Sequence, residues 1–225
     1  MADLASCTWP ELDQAAPILF VPIGSTEQHG PHLPLGTDTL IATELARAIA
    51  ESRSDSVVAP AVAIGASGEH RGFPGTLSIG TEVLVEVLVE VVRSSRDWVR
   101  GIVFVSGHGG NVEAIGRALA RSESEGDAVV VVTASTPDGD LHAGRSETSL
   151  LLYLAASLVR ETEAVAGASG TLDEMMGVLS TRGVAALSPN GVLGDPSGAS
   201  SAEGHERFSA MCARACQAVE ARFGP

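Results

Sequence analysis

The sequence predicts an α/β fold of three layers, in which an open, mostly parallel sheet carries helices on both faces. Two observations support this prediction. Short apolar runs rich in β-branched residues alternate along the chain with longer segments of helical periodicity. These runs are continuously apolar instead of alternating with polar residues, which is typical of strands covered on both faces of a sheet.

Four segments have the features of buried strands. In a parallel sheet the carboxyl ends of the strands meet at one edge, and ligands bind beyond that edge. We therefore expect the loops that follow the first, third and fourth segments to converge there. The four segments are ILFVPI (18–23), SVVAPAV (56–62), GIVFVS (101–106) and AVVVVTA (128–134).

Five further segments have helical patterns. The valine-rich segment 81–98 also suits a strand, but Glu82, Glu86 and Glu90 recur every four residues and share one helical stripe, so a helix is the better interpretation. Residues 164–204 are rich in Gly, Ser and Ala without clear periodicity, and we expect loops there that close over a site or mediate assembly. The predicted helices cover residues 38–53, 81–98, 111–124, 145–160 and 203–222.

Length and charge exclude several classes of function. At 225 residues, a single domain over residues 1–225 is expected. The net charge of −14 argues against binding nucleic acids or anionic membrane surfaces. No signal peptide or membrane-spanning stretch is recognisable. The three cysteines do not resemble a disulfide framework, so a reducing, cytoplasmic location is expected.

The loop PIGSTEQHGPHLPLGTD concentrates ionisable side chains where the backbone is rich in Pro and Gly. Glu27 and His29 are two residues apart, so on an extended segment they face one centre. Asp38 begins the next predicted helix and can reach back to them, and one carboxylate can bridge two divalent cations. The alternative is a solvated turn, with Asp38 favoured only by the helix macrodipole. His32 lies beside these residues and is expected to have a supporting or surface position.

Two later motifs add candidates at the same predicted sheet edge. SGHGGN places His108 among glycines that resemble a phosphate-binding turn, but it lacks the G-x-G-x-x-G spacing and the P-loop lysine. In the same motif Asn111 can cap the following helix. LHAGRSETS places His142 before a helix and Glu147 in its first turn. Each residue has a structurally neutral interpretation, but three converging loops that all supply His or carboxylate groups favour one common site.

In this order and spacing, the three motifs resemble those of the creatininase family, which are metal-dependent amidohydrolases. EHRGFPGT (69–76) and GDPSGASSAEG (194–204) also resemble family segments, and the similarity runs from about residue 8 to 222. The resemblance implies a creatininase-like domain and a ring-like homo-oligomer, often a hexamer. Within the family the chain is most similar to peptidases that cleave a modified precursor peptide and release its C-terminal Val–Tyr-derived unit.

The resemblance further implies a site with two divalent metal ions per chain. Glu27 and His29 would bind different ions, Asp38 would bridge them, and His108 would join Glu27. A donor set of nitrogen and oxygen atoms without thiolate suits Zn, Mn or Fe. The resemblance favours Fe²⁺ with Zn²⁺, and Mn²⁺ is the alternative.

At one ligand position the chain departs from creatininase proper. That enzyme has a Tyr–Glu pair, whose Glu binds metal, where this chain has Gly109 and Gly110. Many other members also have Gly–Gly and use the Glu of the third motif, which implies a metal-binding role for Glu147. His142 is similar to the family histidine near the reacting group, and we expect it to protonate the leaving nitrogen. His70 is expected either to contact the substrate or to be structural.

The substrate is less defined than the ligand set. Creatininase closes its pocket with aromatic residues, whereas between residues 109 and 205 this chain has only Tyr153, so creatinine is disfavoured. One alternative is a family amidohydrolase that acts on a cyclic amide or a formamide. From other classes, the alternatives are a phosphate- or nucleotide-binding module that uses GHGGN, and a non-catalytic assembly protein.

Overall fold

The computed structural model describes residues 2–13, 15–136 and 139–225. Its sheet has the strand order β1-β3-β2-β4-β5, and every neighbouring pair is parallel. The fold class predicted from the sequence is confirmed. The strands are β1 (Ala2–Asp3), β2 (Ile18–Ile23), β3 (Ser56–Val58), β4 (Gly101–Ser106) and β5 (Val129–Thr133).

The central pair, β2 and β4, is buried along its whole length. The two strands pair from Ile18 with Gly101 to Ile23 with Ser106, so both end at the same edge of the sheet. Their bounds are those expected from the continuous apolar runs. β3 is shorter than predicted because the ladder is interrupted at Pro60, which has no N–H to donate.

Helices cover both faces of the sheet. Side chains of α2, α5 and α7 pack on the face that carries Ile18 and Phe20, and those of α3 and α4 pack on the face that carries Leu19 and Val21. This alternation along one strand produces the three layers. The helices are α1 (Trp9–Leu12), α2 (Thr37–Glu51), α3 (Gly80–Ser95), α4 (Val112–Ser124), α5 (Arg145–Ala155), α6 (Leu172–Arg182) and α7 (Ser201–Phe223).

The valine-rich segment that forms α3 is helical, as its glutamate spacing predicts. Two of the three glutamates pair across the surface with the neighbouring helix α4: Glu82 with Arg117 at 2.6 Å and Glu86 with Arg121 at 2.8 Å. Such exposed pairs are each worth at most about 1 kcal/mol. The buried leucines and valines of α3 therefore contribute most to its packing.

Two expectations need correction. Residues 164–204 contain the helix α6, whose capping box joins Thr171 and Glu174 and which buries only Met175. The helix predicted over 145–160 ends at Ala155 and continues as a single 3₁₀ turn. In the part of the chain that is described, no helix has both the length and the apolar composition needed to cross a membrane.

Candidate metal centre

The predicted metal-binding residues lie together at the carboxyl edge of the sheet. Asp38 is in the first turn of α2, Glu147 is in the first turn of α5, and His108 is the second residue after β4. Among the described residues, two groups contain the predicted ligands alone, with ligand atoms within 4.8 Å of one another: Glu27, Asp38 and His108 in one, and His29, Asp38 and Glu147 in the other. A third group of the same kind joins Glu27 and His29 with His142. Asp38 is shared between the two groups.

The two carboxylate oxygens of Asp38 face different groups. Oδ1 lies 2.9 Å from Nε2 of His29, and Oδ2 lies 3.1 Å from Nδ1 of His108. Nε2 of His108 is also 3.2 Å from Oε2 of Glu27, and Nε2 of His29 is 3.9 Å from Oε2 of Glu147. This is the arrangement that a carboxylate bridging two cations requires.

The loop after β2 is held by its own backbone. Glu27 N donates to Leu35 O at 3.0 Å, which folds the Pro- and Gly-rich segment back on itself. Within it, Nδ1 of His29 donates to the backbone oxygen of Glu27 at 3.2 Å, so Nε2 is the nitrogen that faces the carboxylates. Ser25 Oγ donates to Oδ2 of Asp38 at 2.7 Å and orients that side chain.

The segment before α5 is shaped around Glu147. Ala143 has a left-handed backbone conformation (φ 52°), which is uncommon for a residue other than glycine. In this conformation Ala143 N donates to Oε2 of Glu147 at 2.6 Å. His142 is held next to it by paired backbone hydrogen bonds with Leu193.

The buried carboxylate of Glu27 tests whether these residues suit a cation. Both of its oxygens are buried, and no described residue donates a hydrogen bond to either. Nitrogen atoms of His70 and His108 lie 3.2 Å away without the alignment of a hydrogen bond. An ionised carboxylate without donors is costly to bury, and a divalent cation would remove that cost. The nitrogen and oxygen donors of the two groups fit Zn, Mn or Fe.

The charges of the cluster shift its pKa values strongly. Burial, and then the nearby Asp38, raises the pKa of Glu27 to about 8, and burial raises the pKa of Glu147 to about 7. Burial alone would lower the pKa of His29, but Asp38 and Glu147 outweigh it and raise that pKa to about 10. Burial opposes ionisation of Asp38 as well, yet the charges of His29 and His108 hold its pKa well below the usual range. Without a cation, the cluster therefore retains protons at neutral pH.

His142 presents a defined nitrogen to the centre. Its Nε2–H donates to the backbone oxygen of Gln28 at 2.8 Å, which leaves Nδ1 facing inward at 3.8 Å from Oε1 of Glu27. Burial, followed by the charges of His29 and His70, holds the pKa of His142 well below its usual range. The ring is therefore neutral, with an unprotonated Nδ1 in the site.

Gln28 is a site residue that the sequence analysis missed. Its amide nitrogen lies 2.9 Å from Nδ1 of His70 and 3.0 Å from the backbone oxygen of Gly191. Those two acceptors use both of its protons, because Nε2 of His142 already donates elsewhere. His70 is thus buried in the wall of the site, where burial lowers its pKa to about 4. The position of Gln28 between Glu27 and His29 is the only sequence signal for it.

Glu69 is the second missed residue. Its Oε1 lies 3.3 Å from Nε2 of His108, and it directly precedes His70 in the sequence. A Cβ at Gly110 would be 2.4 Å from Nε2 of His108 and 2.5 Å from Oε1 of Glu69, so no side chain fits there. Glycine is therefore the residue that the packing admits at this position.

Two other residues of the motifs lie outside the two groups. His32 is buried and contacts Thr148 Oγ1 on α5 through Nε2 at 2.9 Å. Asn111 occupies the position before α4. The expectation that its side chain caps this helix is wrong. Its amide instead bonds to the backbone of Ala66 and Gly24, and so ties two loops of the site together.

Known proteins are similar to this chain in sequence and in fold. A match to the family Creatininase, described as creatinine amidohydrolase, spans residues 5–219. The chain is 50% identical over 213 residues to a mycofactocin precursor peptide peptidase of Mycolicibacterium smegmatis, covering 92% of this chain and 86% of that protein. Two solved creatininases, a mutant of Zn–Zn type and a Mn form, have TM-scores of 0.80 and 0.79 at 25% identity, each over 99% of this chain and 98% of theirs. The chain therefore belongs to the creatininase family of hydrolases.

Proposed function

We propose that this chain is a metal-dependent peptidase that hydrolyses an amide bond of the modified mycofactocin precursor peptide and releases its C-terminal Val–Tyr-derived unit. The observation that carries the chemistry is the pair of ligand groups that share Asp38. The substrate is supported by the 50% identity to a peptidase of that name over most of both chains.

Two divalent cations per chain are part of the proposal. Glu27, Asp38 and His108 would hold one, and His29, Asp38 and Glu147 would hold the other. When bound, such cations polarise an amide carbonyl and lower the pKa of water from about 15.7 toward 7. Fe²⁺ with Zn²⁺ is the proposed pair, with Mn²⁺ as the alternative; the Zn–Zn and Mn forms of related creatininases support divalent ions of this class.

His142 moves the proton in this proposal. Its neutral Nδ1 faces the centre and can take up the proton that the attacking water loses. It then delivers this proton to the departing nitrogen, without which the tetrahedral intermediate would expel hydroxide again. The hydrogen bond from Nε2 to Gln28 O keeps Nδ1 in the position from which both transfers occur.

The alternatives explain less of the site. A phosphate-binding role for GHGGN is disfavoured because the carboxylates of Glu27, Asp38 and Glu69 all lie within 3.3 Å of the His108 ring and would repel an anion. It also leaves the buried Glu27 without a function. A cyclic amide or formamide substrate uses the same centre, and only substrate tests separate it from a peptide.

The cellular location and the oligomeric state are also part of the proposal. We place this single-domain chain in the cytoplasm as a homo-oligomer, of which a hexamer is the form that the family resemblance implies. The three cysteines, Cys7, Cys212 and Cys216, are free thiols, which suits a reducing compartment. Gel filtration with light scattering measures the assembly state directly.

The decisive test uses the metal-loaded protein with the modified precursor peptide, a cyclic amide and a formamide, and identifies products by mass spectrometry. We expect cleavage of the peptide alone. Asp38→Ala should lose bound metal and hydrolysis together, whereas Asp173→Ala, an exposed carboxylate in the first turn of α6, should change neither. Full peptide cleavage by a metal-stripped Asp38→Ala protein would overturn the mechanism.

A further inference from the structure

We propose that Arg71 and Arg182 form a carboxylate-binding subsite beside the metal centre, which holds a carboxylate of the substrate peptide. This inference rests on the proposed peptidase function and adds a specificity determinant to it. Neither arginine belongs to the motifs that identify the ligands. Both line a cavity of about 480 Å³ that opens next to the 3₁₀ turn Gly68–His70 and the end of α6.

The cavity adjoins one end of the candidate metal centre. Glu69 and Gly110 line it, and Oε1 of Glu69 is 3.3 Å from Nε2 of His108. The backbone of Gly110 packs against the same histidine, since a Cβ there would be 2.4 Å from Nε2 of His108. A peptide whose scissile amide lies at the ligand groups can therefore extend neighbouring residues into this space.

Neither arginine has a carboxylate partner among the described residues. All 14 basic residues of this acidic chain are arginines. Across the described ranges, nine of them lie within 4 Å of a carboxylate. The other five do not, although the chain carries 28 acidic residues, and of these five Arg71 and Arg182 line the cavity. Glu69, the one carboxylate in the cavity wall, is oriented toward His108.

The chemistry of the cavity matches an anionic group of a peptide. A guanidinium binds a carboxylate through two parallel N–H···O bonds, and an arginine that is not already paired is free to do so. The wall also carries the hydroxyl groups of Ser180 and Thr181, which can donate to the same group. Elsewhere the net charge of −14 repels acidic peptides, so this local positive region selects where an acidic segment binds.

The carboxylate can come from an acidic side chain of the peptide or from a free terminal carboxylate. The experiment separates these sources with three probes: the precursor peptide, versions in which each Asp or Glu is replaced by its amide, and a version with a C-terminal amide. Steady-state cleavage by the metal-loaded enzyme gives KM and kcat. Calorimetric binding to the metal-free protein provides a readout that does not depend on turnover.

The variants are Arg71→Gln and Arg182→Gln, with Arg222→Gln as the matched control. Arg222 lies near the end of α7, carries the same charge and does not line the cavity. We expect each cavity variant to raise KM and the Kd of the metal-free protein about tenfold, with kcat changed less than twofold. The control should change neither. Arg71→Lys should recover only part of the loss, because lysine retains the charge without the bidentate geometry.

The peptide series provides the discriminating result. One amidated peptide should raise KM of the unaltered enzyme by the same factor, and the cavity variants should add nothing further with that peptide. An equal loss with every peptide, or no loss in either arginine variant, would overturn the subsite. If the unaltered enzyme cleaves no peptide, the proposed function is wrong. Calorimetric binding to the metal-free protein still decides whether the arginines recognise a carboxylate.

Discussion

His142 donates its Nε2 proton to the backbone oxygen of Gln28 over 2.8 Å. The orientation of this ring is therefore set by the main chain of the loop that carries Glu27 and His29. The side chain of Gln28 remains available to hold a second histidine, His70. One residue of the loop thus positions two rings through different atoms, and the two effects can be separated by mutation.

Replacing the Gln28 amide should weaken the fold without removing metal. In Gln28→Met the buried Nδ1 of His70 and the backbone oxygen of Gly191 lose their donor, which costs about 1–3 kcal/mol of the free energy of unfolding. The hydrogen bond from His142 survives because it uses the backbone. Urea unfolding and elemental analysis measure the two effects. Gln217→Met, at an exposed position on α7, should stay within about 0.5 kcal/mol. Loss of metal in Gln28→Met would contradict this separation of roles.

The shared position of Asp38 predicts unequal metal contents in two variants. Asp38→Asn alters both ligand groups, whereas Glu147→Gln alters only the group with His29. We therefore expect Glu147→Gln to retain metal in the group formed by Glu27, Asp38 and His108, and Asp38→Asn to retain the least. Elemental analysis of the purified proteins gives the ratio, with the exposed Glu161→Gln as the control. Equal metal loss in both variants would show that the two groups are not independent.

Metal binding should release protons and should weaken as the pH falls. In the metal-free protein the pKa of Glu27 is raised to about 8, that of Glu147 to about 7 and that of His29 to about 10. All three therefore hold protons to a substantial extent at pH 7, and a cation must displace them. Lowering the pH fills these groups further and reduces affinity. Calorimetric titration of Zn²⁺ in buffers of different ionisation enthalpy measures the protons released. A binding enthalpy that is the same in every buffer would contradict the prediction.

A methyl group at Gly107 should disturb the site through the backbone. Its Cβ would lie 2.3 Å from the backbone oxygen of Asp38, so in Gly107→Ala either the end of β4 or the first turn of α2 must move. We expect a loss of about 1–3 kcal/mol of stability together with reduced metal content. Gly116→Ala in α4 has no atom within 4 Å of the new methyl and should gain up to about 1 kcal/mol. Urea unfolding compares the two; a Gly107→Ala protein as stable as the parent would refute the packing argument.

The centre of the sheet was the most predictable part of the fold. β2 and β4 are continuously apolar because both of their faces are covered. Such short, continuously apolar runs are typical of buried parallel strands. α6 was missed for the opposite reason: it buries only Met175, so its sequence has no apolar stripe to reveal it. Its capping box, Thr171 with Glu174, is the local signal that could have located its start.

The site residues also differ in how far the sequence predicts them. Glu27, His29 and Asp38 could be proposed because the loops with His108, His142 and Glu147 were expected at the same edge of the sheet, and because the three motifs resemble those of the creatininase family. Glu69 and Gln28 could not, because their roles depend on contacts with residues more than 35 positions away in the chain. Position in sequence contains little information about such long-range partners.

The first turns of α2 and α5, from which Asp38 and Glu147 project, have a consequence for how the centre acquires its ions. Both helices are anchored by buried residues in the core. The two carboxylates therefore lose most of their conformational entropy when the chain folds, before any cation binds. Binding a cation then costs little further conformational entropy. We therefore expect the proposed ions to leave and return while the fold persists, so that the metal content follows the supply around the protein.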